Sequence, residues 1–258
     1  SEAVTHWYVN TTGSDASGSG TLASPLANIQ TAINATTNGD TVSVAAGTYV
    51  ENSNFSGKNI AVIGADSSNT IIDGDNNGRV VTIDNEEGAG TVLRNFTIKN
   101  GNATGEFPDY IGGGIYCGTN TSPILENLNI INNTSDREGG GIKLSDTEAI
   151  IKNVTIMDNY AGSEGGGIGF GGSGTPTLTD VFIAGNSGNG GGGIYLEGSM
   201  APIITNSTIL GNTDRNTSGG DGGGGIFCNR TSHPTLVNCI LWDNSPREIS
   251  LSSLEDDY

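Results

Sequence analysis

Eight residues of this chain combine ligand-holding or proton-moving side chains with a regular spacing. Tyr116, Lys143, Tyr195 and Phe227 each follow a Gly-Gly-Gly-Ile run, and Gly169 occupies the same place in the run between Lys143 and Tyr195. Consecutive members of this series are 27, 26, 26 and 32 residues apart. Asp136, Glu138, Glu164 and Asp221 lie just ahead of the runs. Flat aromatic rings such as Tyr116, Tyr195 and Phe227 can stack on sugars. Carboxylates are hard ligands for Ca²⁺, and a lysine amine near a bound cation can act as a base. Combined, these residue types fit a lyase of uronate polymers. Ca²⁺ held by Asp136, Glu138, Glu164 and Asp221 would neutralise a sugar carboxylate, and Lys143, the only basic member of the series, would remove the α-proton. The plainer reading, which we favour for Lys143, is a solvated strand residue whose charge discourages edge pairing.

The spacing belongs to a repeat. The runs read GGGIYC from Gly112, GGGIKL from Gly139, GGGIGF from Gly165, GGGIYL from Gly191 and GGGIFC from Gly223. Further columns keep step with them: Pro123, Ala149, Pro176, Pro202, Pro234; then Asn127, Asn153, Asp180, Asn206, Asn238; then Ile130, Ile156, Ile183, Ile209, Leu241; then Asn133, Asn159, Asn186, Asn212, Asn244. A period of about 26 marks a repeat architecture. No unit holds a stretch long enough for a helix pair, whereas short alternating runs such as Leu128-Asn-Ile130 fit strands broken by Gly, Asn and Asp turns. Three short strands per unit describe one coil of a parallel β-helix. Coils would stack about 4.8 Å apart, with turn asparagines hydrogen-bonded along the stack. Asn95, Ile98, the run Ile60–Ile63 and the run Val80–Ile83 extend the pattern upstream. The expectation is a single all-β domain of about eight coils, roughly 40 Å long. Its parts are an N-terminal strand and cap over 1–40, irregular coils over 41–111, regular coils over 112–245 and a tail over 246–258.

Within each run the Ile points inward, so Tyr116, Lys143, Gly169, Tyr195 and Phe227 form an outward row. Insertions at 101–111 and 213–222 fall in one turn and would wall a cleft beside that row. Ser24-Pro25 predicts the start of a capping helix with Leu26, Ile29 and Ile33 on one face, ending at Asn38-Gly39. The tail is expected to be a ragged cap or a docking edge.

Of 258 residues 42 are Gly, and the formal net charge is −18. Such a surface repels nucleic acid and anionic membranes and attracts divalent cations. No apolar run approaches the roughly 18 residues of a membrane span, and Ser1 opens no leader pattern, so a soluble chain, already freed of any export signal and not inserted in a membrane, is expected. Cys117 and Cys228 would lie four coils apart, near 19 Å, too far to bridge. Cys228 and Cys239 share a coil, and free buried thiols are the preferred state. Asp73-Gly-Asp75-Asn-Asn77-Gly78 reads as a tight turn ahead of a cation loop. His6 and His233 have no nucleophile beside them, and Trp7 and Trp242 are expected to pack.

The stretch Trp7-Tyr-Val-Asn10, Gly13-Ser-Asp15, Gly20-Thr-Leu, Ser24-Pro25, Ile29-Gln, Gly39-Asp-Thr41 and Gly47-Thr-Tyr49 resembles the opening of secreted pectate-lyase-like right-handed β-helix proteins. The GGGI column, with I-x-x-N as in Ile156-Met-Asp-Asn159, is similar to the paired GGA(I/L/V) and FxxN tetrapeptides of polymorphic outer-membrane adhesins, with Gly for Ala and Ile or Leu for Phe. The resemblance implies a right-handed parallel β-helix, a secreted or cell-surface location and a polysaccharide or cell-surface glycan as partner. That fold hosts lyases, hydrolases, esterases and non-catalytic adhesins. Two functions are therefore expected. The preferred one is a non-catalytic extracellular structural or adhesive rod that binds glycans or associates into filaments. The alternative is a Ca²⁺-dependent polysaccharide lyase, against which stand the short fold and the scarcity of basic residues.

Overall fold

The computed structural model of the chain describes residues 5–216, 222–229 and 231–252. Each coil contributes strands that pair, in parallel, with the equivalent strands of the coils before and after it. Among the described residues this builds three long sheets. The widest contains the in-register path His6–Val9, Thr41–Val44, Ala61–Gly64, Val92–Lys99, Ile124–Ile131, Ile150–Met157, Thr177–Ala184, Ile203–Thr205 and Thr235–Val237. Nine rungs on that path enclose eight turns of chain, as the repeat predicts. A second sheet of eight strands runs from Ser53–Asn54 through Val81–Ile83 and the five Ile-led strands Ile115–Cys117, Ile142–Ser145, Ile168–Gly171, Ile194–Leu196 and Ile226–Cys228 to Ile249–Leu251. The third sheet consists of two-residue strands from Asn102–Ala103 to Thr213–Asp214.

Side chains alternate along each strand, so one column per sheet points into the coil. Ile115, Ile142, Ile168, Ile194 and Ile226 of the eight-stranded sheet meet Leu125, Ile151, Leu178 and Ile204 of the widest sheet, all fully buried. The core is one continuous apolar stack along the axis.

Two turn columns set where each coil bends. In the first, Asn95, Asn127, Asn153, Asp180, Asn206 and Asn238 all take a left-handed φ between 51° and 66°, a conformation Asn and Asp tolerate better than other side chains. In the second, Asn133, Asn159, Asn186, Asn212 and Asn244 form a buried ladder. The Asn186 Nδ2 donates to Asn212 Oδ1 at 2.9 Å and to the Ile156 carbonyl at 2.9 Å. The Asn186 Oδ1 accepts from the Asn159 backbone N–H and from Asn159 Nδ2, both at 3.0 Å. The same bonds join Asn133 to Asn159 and Asn212 to Asn244.

The glycine triplets are the other half of this device. Gly139 holds a φ of 64°. A Cβ on Gly140 would come within 2.3 Å of the Tyr160 carbonyl, and one on Gly141 within 3.1 Å of the Asn159 amide nitrogen. Only a chain without side chains at these positions can run past the buried amides. Asn186→Ala would remove four hydrogen bonds inside the coil and is expected to destabilise by about 3 kcal/mol or more. Asn153→Ala, in the solvent-facing column, is expected to cost only about 1 kcal/mol. Chemical denaturation of both variants checks this, and equal losses would contradict it.

The N-terminal cap departs from expectation. The helix covers Ile29–Ala35 with Asn28 as its flanking residue and no side-chain cap of its own. Ser24-Pro25 lies in the turn before it, where Thr21 bridges Ser24. The start is fixed from another coil: Glu51 accepts the N–H groups of Ile29 and Gln30 at 2.9 and 2.8 Å, satisfying donors that the helix leaves open. Ile29, Ala32 and Ile33 close the core. At the other end the tail begins as one more rung, since Ile249–Leu251 pairs with Ile226–Cys228; residues 253–258 lie outside the described part. Leu236, Cys239 and Leu241 of the last coil are only partly covered. Trp7 packs against the core and donates to Asp40, but Trp242 is 69% exposed, contrary to expectation. All three cysteines are free. The Asp73–Gly78 segment is a turn, with Asp73 Oδ1 accepting the Asp75 N–H at 3.0 Å. Among the described residues no helix is long and apolar enough to cross a membrane.

Candidate functional site

The row predicted from the GGGI runs lies on consecutive rungs of the eight-stranded sheet. Pairing runs Thr82, Tyr116, Lys143, Gly169, Tyr195, Phe227, Ser250. The row is nonetheless covered where free solvent was expected. Tyr116 and Tyr195 are each 7% exposed and Lys143 only 4%. The Arg79 guanidinium lies 4.7 Å above the Tyr116 ring. Lys143 Nζ donates to the Glu138 carboxylate in a tight ion pair. Both earlier readings of Lys143 therefore need correction. It is not a solvated strand residue, because the neighbouring coil buries it, and it is not a free base, because its amine is committed to Glu138. The space above Gly169 is no open gap either, since a Cβ there would meet the Gly139 backbone N at 3.0 Å and the Glu138 Cβ at 3.5 Å. Tyr195 and Phe227 stack with centroids 5.7 Å apart and planes 9° from parallel.

The insertion at 101–111 supplies the expected wall. Arg79 donates to the Pro108 carbonyl and pairs with Asp109 at 3.6 Å, and the Arg137 guanidinium covers Tyr110 at 5.7 Å. The row lines three recesses in line along the axis, with the 101–111 wall beside the first two. The first, about 360 Å³, is lined by Asn54, Arg79, Thr82, Asp84 and Asp109. The second, about 290 Å³, holds Phe107, Tyr110, Tyr116, Glu138, Lys143 and Glu197. The third, about 380 Å³, holds Glu164, Tyr195, Asp214, Asn216, Phe227 and Asn229. The second insertion contributes Asn216 and Gly222 to the third recess, and its middle lies outside the described residues. Another cavity of about 340 Å³, between Tyr8, Leu22, Pro25 and Ile63, draws on no residue of the row.

The acids along this groove are not all paired. In the second recess Glu138 has Lys143. In the third, Glu164 Oε2 and Asp214 Oδ2 are buried without a hydrogen-bond partner. Burial pushes the Glu164 carboxyl above its ordinary range, Glu138 adds to the shift, and Arg137 opposes it. Burial likewise raises Asp214, opposed by the Asn216 backbone N–H. Burial lifts the Tyr195 hydroxyl to about 12.

The proposed Ca²⁺ quartet is not assembled. Glu138 is engaged by Lys143, Asp136 is exposed on the surface, Glu164 lies in the third recess, and Asp221 falls outside the described residues. Among the described residues no three His, Cys, Asp or Glu side chains come together as metal ligands do. Sequence reading missed Asp214 and Arg79. Asp214 carried a usable signal, as the one charged member of a column otherwise made of Ala103, Ser135, Ala161 and Gly188. Arg79 lies in an irregular coil where no column marks it.

A carboxyl whose native value is raised binds its proton more tightly when folded. Its stabilising contribution is present below the ordinary carboxyl range, near 4, and is lost as pH rises through the raised native value. Asp214→Asn is thus expected to melt about 2 °C or more above the parent at pH 7, with the difference closing near pH 4. Thermal scans at both pH values check this, and a difference independent of pH would contradict it.

The right-handed β-helix region family matches residues 114–256. No curated protein sequence matches the chain. Among solved structures, pectate lyase Pel9A superposes with a TM-score of 0.61 at 17% identity over 91% of this chain. The chain spans 62% of that enzyme's length. A pectin methylesterase in complex with a hexasaccharide gives 0.55 at 14% identity, covering 90% of this chain and 82% of that one. The pectin methylesterase from carrot gives 0.53 at 15%, covering 98% and 90%. Likeness at these identities is a likeness of fold. With its family match spanning more than half its length and its rungs stacked in parallel over the described part of the matched region, the chain belongs to the right-handed β-helix family.

Proposed function

We propose that the groove on the eight-stranded sheet binds an extended polysaccharide without cleaving it. The observation that carries this reading is the alignment of the three recesses with the row Tyr116, Tyr195 and Phe227. Recesses that repeat along one axis suit a polymer that repeats along its own. Phe227 offers its ring to the third recess, where its next neighbour in the row is Ser250, so among the described residues no further aromatic of the row covers that face. Phe107, 72% exposed at the rim, gives a second ring at the wall. Carboxylates and amides between the rings supply acceptors and donors for hydroxyl groups. The solved pectin methylesterase with its hexasaccharide supports the reading by fold alone.

The non-catalytic part of the proposal rests on Lys143. A base for proton abstraction needs an uncommitted lone pair in reach of substrate, whereas this amine is 4% exposed and held by Glu138. A location outside the cell, where such polymers occur, is part of the same proposal.

Calorimetric titration with oligosaccharides of neutral, anionic and amine-bearing type tests the binding. At least one class should bind, and Phe227→Ala should weaken it about tenfold. Failure of every class overturns the proposal. Absorbance of unsaturated products on uronate polymers with Ca²⁺ should stay flat, and product formation abolished by Lys143→Ala would overturn the non-catalytic reading.

A further inference from the structure

The third recess differs from the other two in one respect: among the described residues no Lys or Arg lines it. Its two acids, Glu164 and Asp214, each bury a carboxyl oxygen that meets no donor. Asp214 is 7% exposed, and its other oxygen already accepts the Asn216 N–H at 2.8 Å. Two of the amides nearby are committed elsewhere. Asn189 Nδ2 donates to the Gly162 carbonyl at 2.7 Å, and Asn229 Nδ2 to the Tyr195 hydroxyl at 3.3 Å. The charges around Glu164 compound the excess, since Glu138 and Glu197 repel it, opposed by Arg137 and by a backbone hydrogen bond at Glu164 itself.

Buried acceptors without donors are costly and are rare in native proteins. A ligand that brought donors and positive charge together would relieve both deficits. A uronate would add a third carboxylate, and a neutral sugar would bring donors but leave the charge uncompensated. An ammonium group brings three donors and one positive charge. The aromatic floor suits the same ligand, because the face of Phe227 turned away from Tyr195 attracts a cation within about 6 Å.

Building on the reading of the groove as a saccharide site, we infer that the third recess is a subsite for an amino sugar with a free amine, whose ammonium is held between Glu164 and Asp214 with its ring on Phe227. The specificity of the groove is then set at this end, for a glycan that contains unacetylated hexosamine.

The test is a calorimetric titration of the full chain with a glucosamine hexasaccharide, its fully N-acetylated counterpart, a galacturonate hexasaccharide and Ca²⁺ alone. The glucosamine form should bind at least about tenfold more tightly than the N-acetylated form. Asp214→Asn and Glu164→Gln should each remove about tenfold or more of that affinity, while thermal scans show both variants folded. Phe227→Ala should weaken every saccharide that binds, and the glucosamine form most. Binding of the N-acetylated or galacturonate form that equals the glucosamine form and ignores both acid substitutions leaves the groove as a saccharide site and overturns the amine subsite. Absence of binding by all three saccharides overturns the groove reading itself and this inference with it. Ca²⁺ binding that Asp214→Asn and Glu164→Gln abolish, with no response to the glucosamine form, assigns the acids to a cation and also overturns the subsite.

Discussion

A buried row of five asparagine side chains fixes the geometry of this rod. Each amide but the last, Asn244, which donates to Glu248 instead, bonds to the coil behind and the coil ahead, so a turn that is one residue too long or too short breaks bonds on both sides. Such a network is worth having only if complete, because a buried amide with half its partners costs more than an apolar side chain would. That requirement explains why the glycine triplets recur in step with the asparagines. At Gly141 the backbone passes against the Asn159 amide where a Cβ would press on it. Where the triplets are missing, upstream of Gly112, the ladder ends: Gly101 takes the place of the next asparagine and donates its own N–H to Asn133.

Constant coil length in turn keeps every outward residue over its predecessor. The stacked pair Tyr195 and Phe227, the Gly169 slot filled by the Glu138 segment, and the ion pair of Lys143 with Glu138 all follow from side chains held one rung apart. The wall formed beyond Ala103 lies outside the rungs, because it leaves the column after Asn102–Ala103 and rejoins it before Gly112. The rod thus separates two roles. Its interior tolerates almost no change, while its insertions shape the groove. The acids of the third recess sit on the boundary between the two, carrying a burial cost that the interior could absorb but has no use for.

Column order in the sequence reveals the parallel β-helix, the rung register and the turn asparagines, because each is a property of residues at fixed spacing. It places Tyr116, Lys143, Tyr195 and Phe227 correctly in one row. It does not reveal that the row is covered, since the covering groups come from irregular segments: Arg79 from a coil without a triplet, and Phe107 and Tyr110 from an insertion. Lys143 and Glu138 are five residues apart, yet their pairing depends on how the chain between them doubles back through Gly139–Gly141. Helix capping by Glu51 was invisible for the same reason, being a contact between coils. Asp214 was the exception, a charge in a column of small residues that spacing alone would have exposed.

The most direct measurement of the central claim is an amide hydrogen-exchange footprint of the chain with a saturating bound oligosaccharide. A polymer lying in the groove should slow exchange in the 101–111 wall and in the strands Ile115–Cys117, Ile194–Leu196 and Ile226–Cys228, and leave the widest sheet unchanged. Protection centred on the widest sheet, or on the N-terminal cavity around Tyr8 and Leu22, would contradict the account.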